Sequence, residues 1–307
     1  MTPLKPYVRI GTRGSPLALW QAHWAASALR QRHAGLQTEI VVIKTAGDRN
    51  RHAPLPQIGG KGLFVKDIEE ALLRGEIEVA VHSMKDMPTD LPDGLHVSAV
   101  PTRADVRDAF VGKDGRQLTQ IDGPWRIGTS SLRRQAQLRA FSDALQVCDL
   151  RGNVDTRLRK LRQGEVEGVV LAAAGLSRLG LAAEITELLP IDLMLPAAGQ
   201  GALALETVAG HWVDDLLASL NDPATASAVA AERAVLQHLG GGCSVPIAVL
   251  GQCHDDRLHL QALVSSPDGS RALRRDISGP LDHAVPLGER LAARLRAAGA
   301  GDILQAL

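Results

Sequence analysis

The sequence is short of cysteine, of aromatic side chains and of net charge, and each shortage excludes something. Three Cys in 307 residues (Cys148, Cys243 and Cys253), odd in number and widely spaced, do not form a disulfide framework. Cys253, His254 and His259 have no recognised metal-ligand spacing, so no metal is expected. Aromatic residues make up 3% of the chain, which argues against a stacking surface for single-stranded nucleic acid. Lys+Arg and Asp+Glu are 34 each, whereas a nucleic-acid binder of this size is usually basic. No run of about 18 apolar residues is present, so no membrane span is expected. The first ten residues carry Lys5 and Arg9 but no apolar signal core, which points to the cytoplasm.

What is present is ordinary globular material, 45% hydrophobic and 22% charged, in a length that suits two or three domains. Only seven of the 34 cations are Lys, so Arg dominates. Arg grips carboxylates and phosphates with a planar fork; a codon-biased genome explains the excess equally well.

Tyr7–Ile10 reads as a strand and Pro16–Arg32 as a helix, with Ser15 at its N-cap and Pro16 at the first helical position. Further strands are expected at Glu39–Thr45, Ile77–His82 and His96–Val100, with a helix at Leu63–Arg74. The pattern restarts near residue 104 with strands at Asp108–Val111, Arg126–Gly128, Leu145–Leu150 and Gly168–Ala172. Helices are expected there at Ser131–Phe141, Val154–Gln163 and Leu176–Leu181. Alternating strands and helices imply a mostly parallel sheet. Ala202–Glu206 reads as a strand and Ala224–Leu239 as a long helix. Three strand-like runs from Ile247 and a helix over Asp282–Ala298 read as a small α+β unit. The stretch from Thr45 to Gly62 holds no hydrophobic period and reads as a loop.

Ile10-Gly11-Thr12-Arg13 and Ile127-Gly128-Thr129-Ser130 each end a strand and open a helix. Helix N-termini attract anions, so the echo suggests two related domains, although three matching residues can coincide. Between Arg126 and Arg162 stand nine cations against three acids. Solvated helix faces account for Arg139, Arg159 and Arg162, but less well for Arg133, Arg134 and Arg151 at a helix start and a strand end. A polyanionic ligand is the reading this favours. His82-Ser83-Met84-Lys85-Asp86-Met87-Pro88 follows a strand and is either a catalytic loop or, the plainer reading of the residues alone, a polar turn. Gly240-Gly241-Gly242-Cys243 delivers a thiol that is either a small buried hydrophobe or a nucleophile. Gly59-Gly60-Lys61-Gly62 lacks phosphate-loop spacing, and Gly199-Gln200-Gly201 precedes a strand, so neither is a nucleotide fingerprint.

As a set these segments resemble the porphobilinogen deaminase (hydroxymethylbilane synthase) family. They are Thr12 to Gln21, Gly59 to Phe64, Val81 to Pro88, Gly128 to Arg134, Leu150 to Arg157, Leu195 to Gly201 and Gly241 to Pro246, in the family's order. The resemblance implies two periplasmic-binding-protein-like α/β domains with mixed sheets, spanning 1–101 plus 199–219 and 104–195, and a small α+β domain over 221–307. It implies a transferase of tetrapyrrole (heme) biosynthesis that condenses four porphobilinogen molecules head to tail and releases ammonia. It implies a dipyrromethane cofactor joined by a thioether to Cys243, and Asp86 as the catalytic carboxylate. Arg13, Ser15, Ser83, Lys85, Thr129, Ser130, Arg133, Arg134, Arg151, Arg157 and Gln200 would hold cofactor and substrate carboxylates, with Lys61 at a lid. It suggests a monomer whose product passes to uroporphyrinogen-III synthase, with neither nucleic acid nor membrane as partner. A non-catalytic bilobed anion-binding protein is the alternative.

Overall fold

The computed structural model describes residues 7–45, 47, 65–241 and 245–306. The chain divides into two compact units, Met1–Arg103 with Ala202–Ala226, and Ala104–Gly201 with Ser227–Leu307.

The first unit is built on five strands: β1 (Tyr7–Thr12), β2 (Gln37–Val42), β3 (Val79–Ser83), β4 (Leu95–Ala99) and β10 (Leu203–Val208). Their order is β2-β1-β3-β10-β4. Helix α1 (Pro16–Arg32) starts where the sequence places it. The Ser15 hydroxyl accepts from the Ala18 amide at 3.3 Å, and Pro16 needs no amide donor there. Its small buried face, with Ala22, Ala25, Ala26 and Leu29, packs on Val8, Ile10, Val79 and Val81. Helix α2 (Lys66–Leu73) covers the other face through Ile68, Ala71 and Leu72, against Ile77 and Ala80.

The second unit begins with β5 (Asp108–Gly112), β6 (Arg126–Gly128), β7 (Gln146–Cys148), β8 (Gly168–Ala172) and β9 (Glu187–Leu188), ordered β7-β6-β8-β5-β9. Helices α3 (Leu132–Phe141), α4 (Val154–Arg162) and α5 (Ala173–Arg178) cover it. Strand–helix–strand order implies parallel pairing, and β1 with β2 and β3, and β6 with β7 and β8, are parallel. However, β10 runs antiparallel to β3 and β4, and β5 antiparallel to β8 and β9. Both sheets are therefore mixed, because strands arriving from distant segments are free of the crossover that enforces parallel pairing.

The echoed glycines have one steric reason. A Cβ on Gly11 would lie 2.2 Å from Ile77 Cδ1, and one on Gly128 would lie 2.6 Å from Leu150 Cδ2. In each sheet the strand passes an apolar side chain at a distance that only glycine allows.

The remainder of the second unit holds α7 from Ser227 onward (the helix spans Pro223–Leu239), an antiparallel sheet β11 (Ile247–His254), β12 (Arg257–Ser265) and β13 (Ala272–Pro280), and helices α8 (Ala284–Ala297) and α9 (Ala300–Gln305). Short helix α6 (Val213–Ala218) belongs to the first unit, and neither it nor α9 is anticipated by the sequence reading. Glu232 of α7 is fully buried and accepts from the Gly199 amide at 2.6 Å and the Gly251 amide at 2.7 Å, tying the 195–201 segment to β11. Among the described residues no helix is long and apolar enough to cross a membrane, and no cluster of metal-ligating side chains occurs.

Candidate active site

In the first unit two strand ends open onto one pocket. β1 ends at buried Thr12, whose hydroxyl donates to the Ala18 carbonyl at 3.1 Å, and the chain turns through Arg13 and Ser15 into α1. β3 ends at His82 and Ser83 and continues as a 3-10 turn, Met84–Asp86. The Met84 amide donates to the Ala202 carbonyl at 3.1 Å, and Met84 and Met87 are both buried. These two anchors leave Lys85 half-buried and Asp86 exposed. The Gln21 amide donates to the Ser83 hydroxyl at 2.9 Å. The pocket is lined by Arg13, Ser15, Gln21, His82, Ser83 and Asp86, with Leu17, Ala18, Val65 and Val81 as its apolar wall. Arg13, Ser15, Ser83 and Asp86, expected from the sequence, thus share one cavity. Lys85 is not on its lining.

In the second unit the strand end after β6 is braced inward. The Thr129 amide donates to the Cys148 carbonyl at 2.9 Å, and its side-chain oxygen accepts from the Ser131 amide at 3.3 Å. The Ser130 hydroxyl donates to the Leu150 carbonyl at 2.7 Å. Arg151 is half-buried, its Nε donating to Asp149 at 3.0 Å, and Arg157 is half-buried on α4.

Arg133 and Arg134 share a buried partner that the sequence reading does not name. Both are buried, and both meet Asp108, a fully buried carboxylate that opens β5. Arg133 Nη1 donates to Asp108 Oδ2 and to the Leu195 carbonyl, each at 2.7 Å. Arg134 uses Nε and Nη2 on Asp108 Oδ1, at 3.1 and 2.6 Å, and Nη1 on the Val170 carbonyl at 3.0 Å. Gln200 adds a bond to Asp108 Oδ1 at 2.9 Å and another to the Val106 carbonyl at 2.8 Å. Burial pushes the Asp108 carboxyl up, but the Arg133 and Arg134 charges outweigh it and hold it well below the usual carboxylate range. Two cations on one anion leave a surplus positive charge, and the buried Arg133 Nε has no hydrogen-bond partner.

Arg178 also escapes the sequence reading. It donates from Nη2 to the Gly201 carbonyl at 2.7 Å, and burial lowers its pKa to about 10. A half-buried guanidinium at a helix end is a candidate carboxylate contact, and an Arg near the end of a short apolar helix is the signal that marks it. Cys148 is a free thiol in β7, and Cys253 lies half-buried in β11. Cys243 and Lys61 lie outside the described residues, as does most of the expected loop between Thr45 and Gly62.

Comparison with known proteins gives a consistent result. Residues 8–213 match the family model described as porphobilinogen deaminase, dipyromethane cofactor binding domain, and residues 226–297 match the porphobilinogen deaminase C-terminal domain. The chain is 51% identical over 298 residues to a porphobilinogen deaminase of Geobacter metallireducens, covering 97% of this chain and 93% of the relative. It is 52% identical over 299 residues to one from Trichlorobacter lovleyi, covering 97% and 96%. Among solved structures it is similar to a TRAP periplasmic solute binding protein from Desulfovibrio salexigens, at 13% identity and a TM-score of 0.43, covering 73% of each chain.

Proposed function

The chain belongs to the porphobilinogen deaminase family, and from that premise we propose how its own residues carry out the family's reaction. The reaction joins four porphobilinogen molecules head to tail, releases an ammonia at each addition and, on hydrolysis by one water, yields linear hydroxymethylbilane. The observation that carries the residue assignment is that Asp86 and Arg13 line one pocket.

Each porphobilinogen brings an acetate, a propionate and an aminomethyl group on a pyrrole ring. Arg13, Ser15, Ser83 and Lys85 hold carboxylates on the first unit. The protonated aminomethyl group departs as ammonia with the C–N bonding pair and leaves the pyrrole as a cation, which the free α-carbon of the preceding pyrrole attacks with loss of its ring proton. Asp86 places a fixed negative charge beside it, and such preorganised charge acts on the transition state more than on bound substrate.

The family's cofactor is a dipyrromethane, which supplies the end onto which pyrrole units are added. The donor set fits a group bearing several carboxylates: it is cationic, and the Arg133 Nε keeps an unused donor. Thr129, Ser130, Arg133, Arg151 and Arg157 would hold it. Arg134 and Gln200 would serve by fixing Asp108 and, through it, Arg133. Cys243 would attach it by a thioether from the C-terminal segment 221–307, a third domain on this reading. Lys61 would stand at a lid. The enzyme would work as a cytoplasmic monomer and hand its product to uroporphyrinogen-III synthase.

Intact mass tests this. The purified protein should exceed its sequence mass by one dipyrromethane, and Cys243→Ser should remove the increment and the turnover together. An increment that survives Cys243→Ser removes Cys243 from the assignment. A protein with neither increment nor ammonia release would be an anion-binding protein instead.

A further inference from the structure

Behind the wall of the pocket lies a buried group of ionisable side chains that the reaction above does not use. Glu69 comes from α2, His82 from the end of β3 and Glu206 from β10. His82 pairs across the ladder with Ala204, and Glu206 follows two residues on, on the same side of the sheet. Glu206 is fully buried, and Glu69 and His82 are each only 5% exposed. His82 Nε2 lies 3.0 Å from Glu206 Oε2. The Glu206 Oε1 and Glu69 Oε1 atoms are buried without hydrogen-bond partners.

Two ionised carboxylates, each with an orphaned oxygen, are costly in one dry cluster, and keeping a proton on one of them lowers that cost. Glu206 has the His82 imidazole within hydrogen-bond distance. Glu69 is pushed up to about 7, first by burial and then by the Glu206 charge, against the opposing pull of His82.

Helix α2 packs against β1, β3 and β10. From β1 the charged group is Arg9, committed to Glu78 just before β3. From β3 it is His82, with Lys85 and Asp86 in the turn beyond. From β10 it is Glu206. On α2 itself Lys66 and Glu70 are exposed and Asp67 is half-buried. Of these, Glu206 and His82 are the groups that act on Glu69.

We propose that Glu69 is held as a neutral acid and, with Glu206, positions His82 on the pocket wall, so that the imidazole faces one carboxylate charge rather than two. Glu69 is then a positioning residue. That role rests on the pocket being the site of the family's reaction; the protonation of Glu69 does not. Its folded-state pKa lies above the ordinary value, so the stability it contributes is fully present at low pH. That stability is lost as pH rises toward about 7.

The test is Glu69→Gln in the full-length, cofactor-loaded protein, which keeps the shape of the neutral acid and cannot ionise. The variant should melt with wild type at pH 5 and a few degrees above it at pH 8. An infrared difference spectrum, wild type minus variant at pH 6, should contain a protonated carboxyl C=O band. The kcat profile of wild type should bend downward above about pH 7, and the variant should lose that bend. A variant that melts at or below wild type at pH 8, a variant that does not fold, or a spectrum without the band would overturn the proposal. A raised Tm with an unchanged kcat profile would overturn the positioning role. A wild-type protein without deaminase activity would count against the assigned reaction, and the band and melting shift would then stand on their own.

Discussion

The two five-stranded sheets have one topology and opposite charge. Each orders its strands the same way, with three parallel strands, then one strand antiparallel to both of its neighbours, β2-β1-β3-β10-β4 and β7-β6-β8-β5-β9. In each, the second strand in that order ends in a turn that opens a helix. Each also buries a carboxylate on its fourth strand, Glu206 on β10 and Asp108 on β5. Glu206 faces one imidazole and is crowded by a second acid, Glu69. Asp108 faces two guanidiniums. The comparison separates two contributions. Topology decides where a helix N-terminus is aimed, whereas the buried charges behind it decide what the turn does. The pH signs are opposite as well. Asp108 is held below its ordinary value, so the stability it contributes is present above that value and is lost only in strong acid. Glu69 is raised, so its contribution disappears as pH rises.

The largest break in that comparison should come at Asp108. Asp108→Ala strands two buried guanidiniums, and removing one partner of a buried ion pair typically costs about 3–5 kcal/mol. The second unit should lose cooperative melting near neutral pH, with far-UV dichroism as the readout. A Tm within a degree or two of wild type would mean that the arginines find other partners, and that the second sheet does not depend on its internal anion.

Asp86→Asn should be nearly as large in rate and almost silent in stability. Asp86 is exposed, so the fold loses little. If its charge stabilises the cation left by ammonia, turnover should fall on the order of a hundred- to thousand-fold, about 3–4 kcal/mol of barrier. Steady-state turnover beside a thermal melt separates this from Asp108→Ala, where stability falls first. Near-normal turnover in a folded, cofactor-loaded variant would take Asp86 out of the mechanism.

What was legible in the sequence was local. Ser15 before Pro16 places a helix start, and α1 begins there. The echo of Ile10-Gly11-Thr12 in Ile127-Gly128-Thr129 follows from shared sterics at Gly11 and Gly128. Strand direction was not legible in β10 and β5, because their pairing partners lie far along the chain. The Arg surplus between Arg126 and Arg162 was visible, but its buried counter-ion was not. Asp108 lies outside that window, at the head of an apolar strand, and its acid read only as a strand boundary. Helix α6 was missed because six residues with two acids carry no helical period. In the pocket, Arg13, Ser15, Ser83 and Asp86 were legible as motif residues, whereas nothing in the pattern of a helix and a strand singles out Glu69 and Glu206.

The smallest expected effect sharpens the comparison at the two helix starts. Ser15 and Ser131 occupy the N-cap positions of α1 and α3, the helices that follow the echoed strands. Ser15 caps α1 with its side chain, whereas Ser131 makes no side-chain cap bond. In α3 the Thr129 side chain accepts from the Ser131 amide instead. Removing a working N-cap serine costs about 1 kcal/mol. Ser15→Ala should therefore lower Tm by a few degrees, and Ser131→Ala should change it by less than the scatter between preparations. Ser15 also lines the pocket, so its variant should raise KM for porphobilinogen in addition, a change that loss of a cap alone would not produce. Equal Tm losses in the two variants would mean that both turns are capped alike, leaving the buried charges as the sole difference between the two sheets.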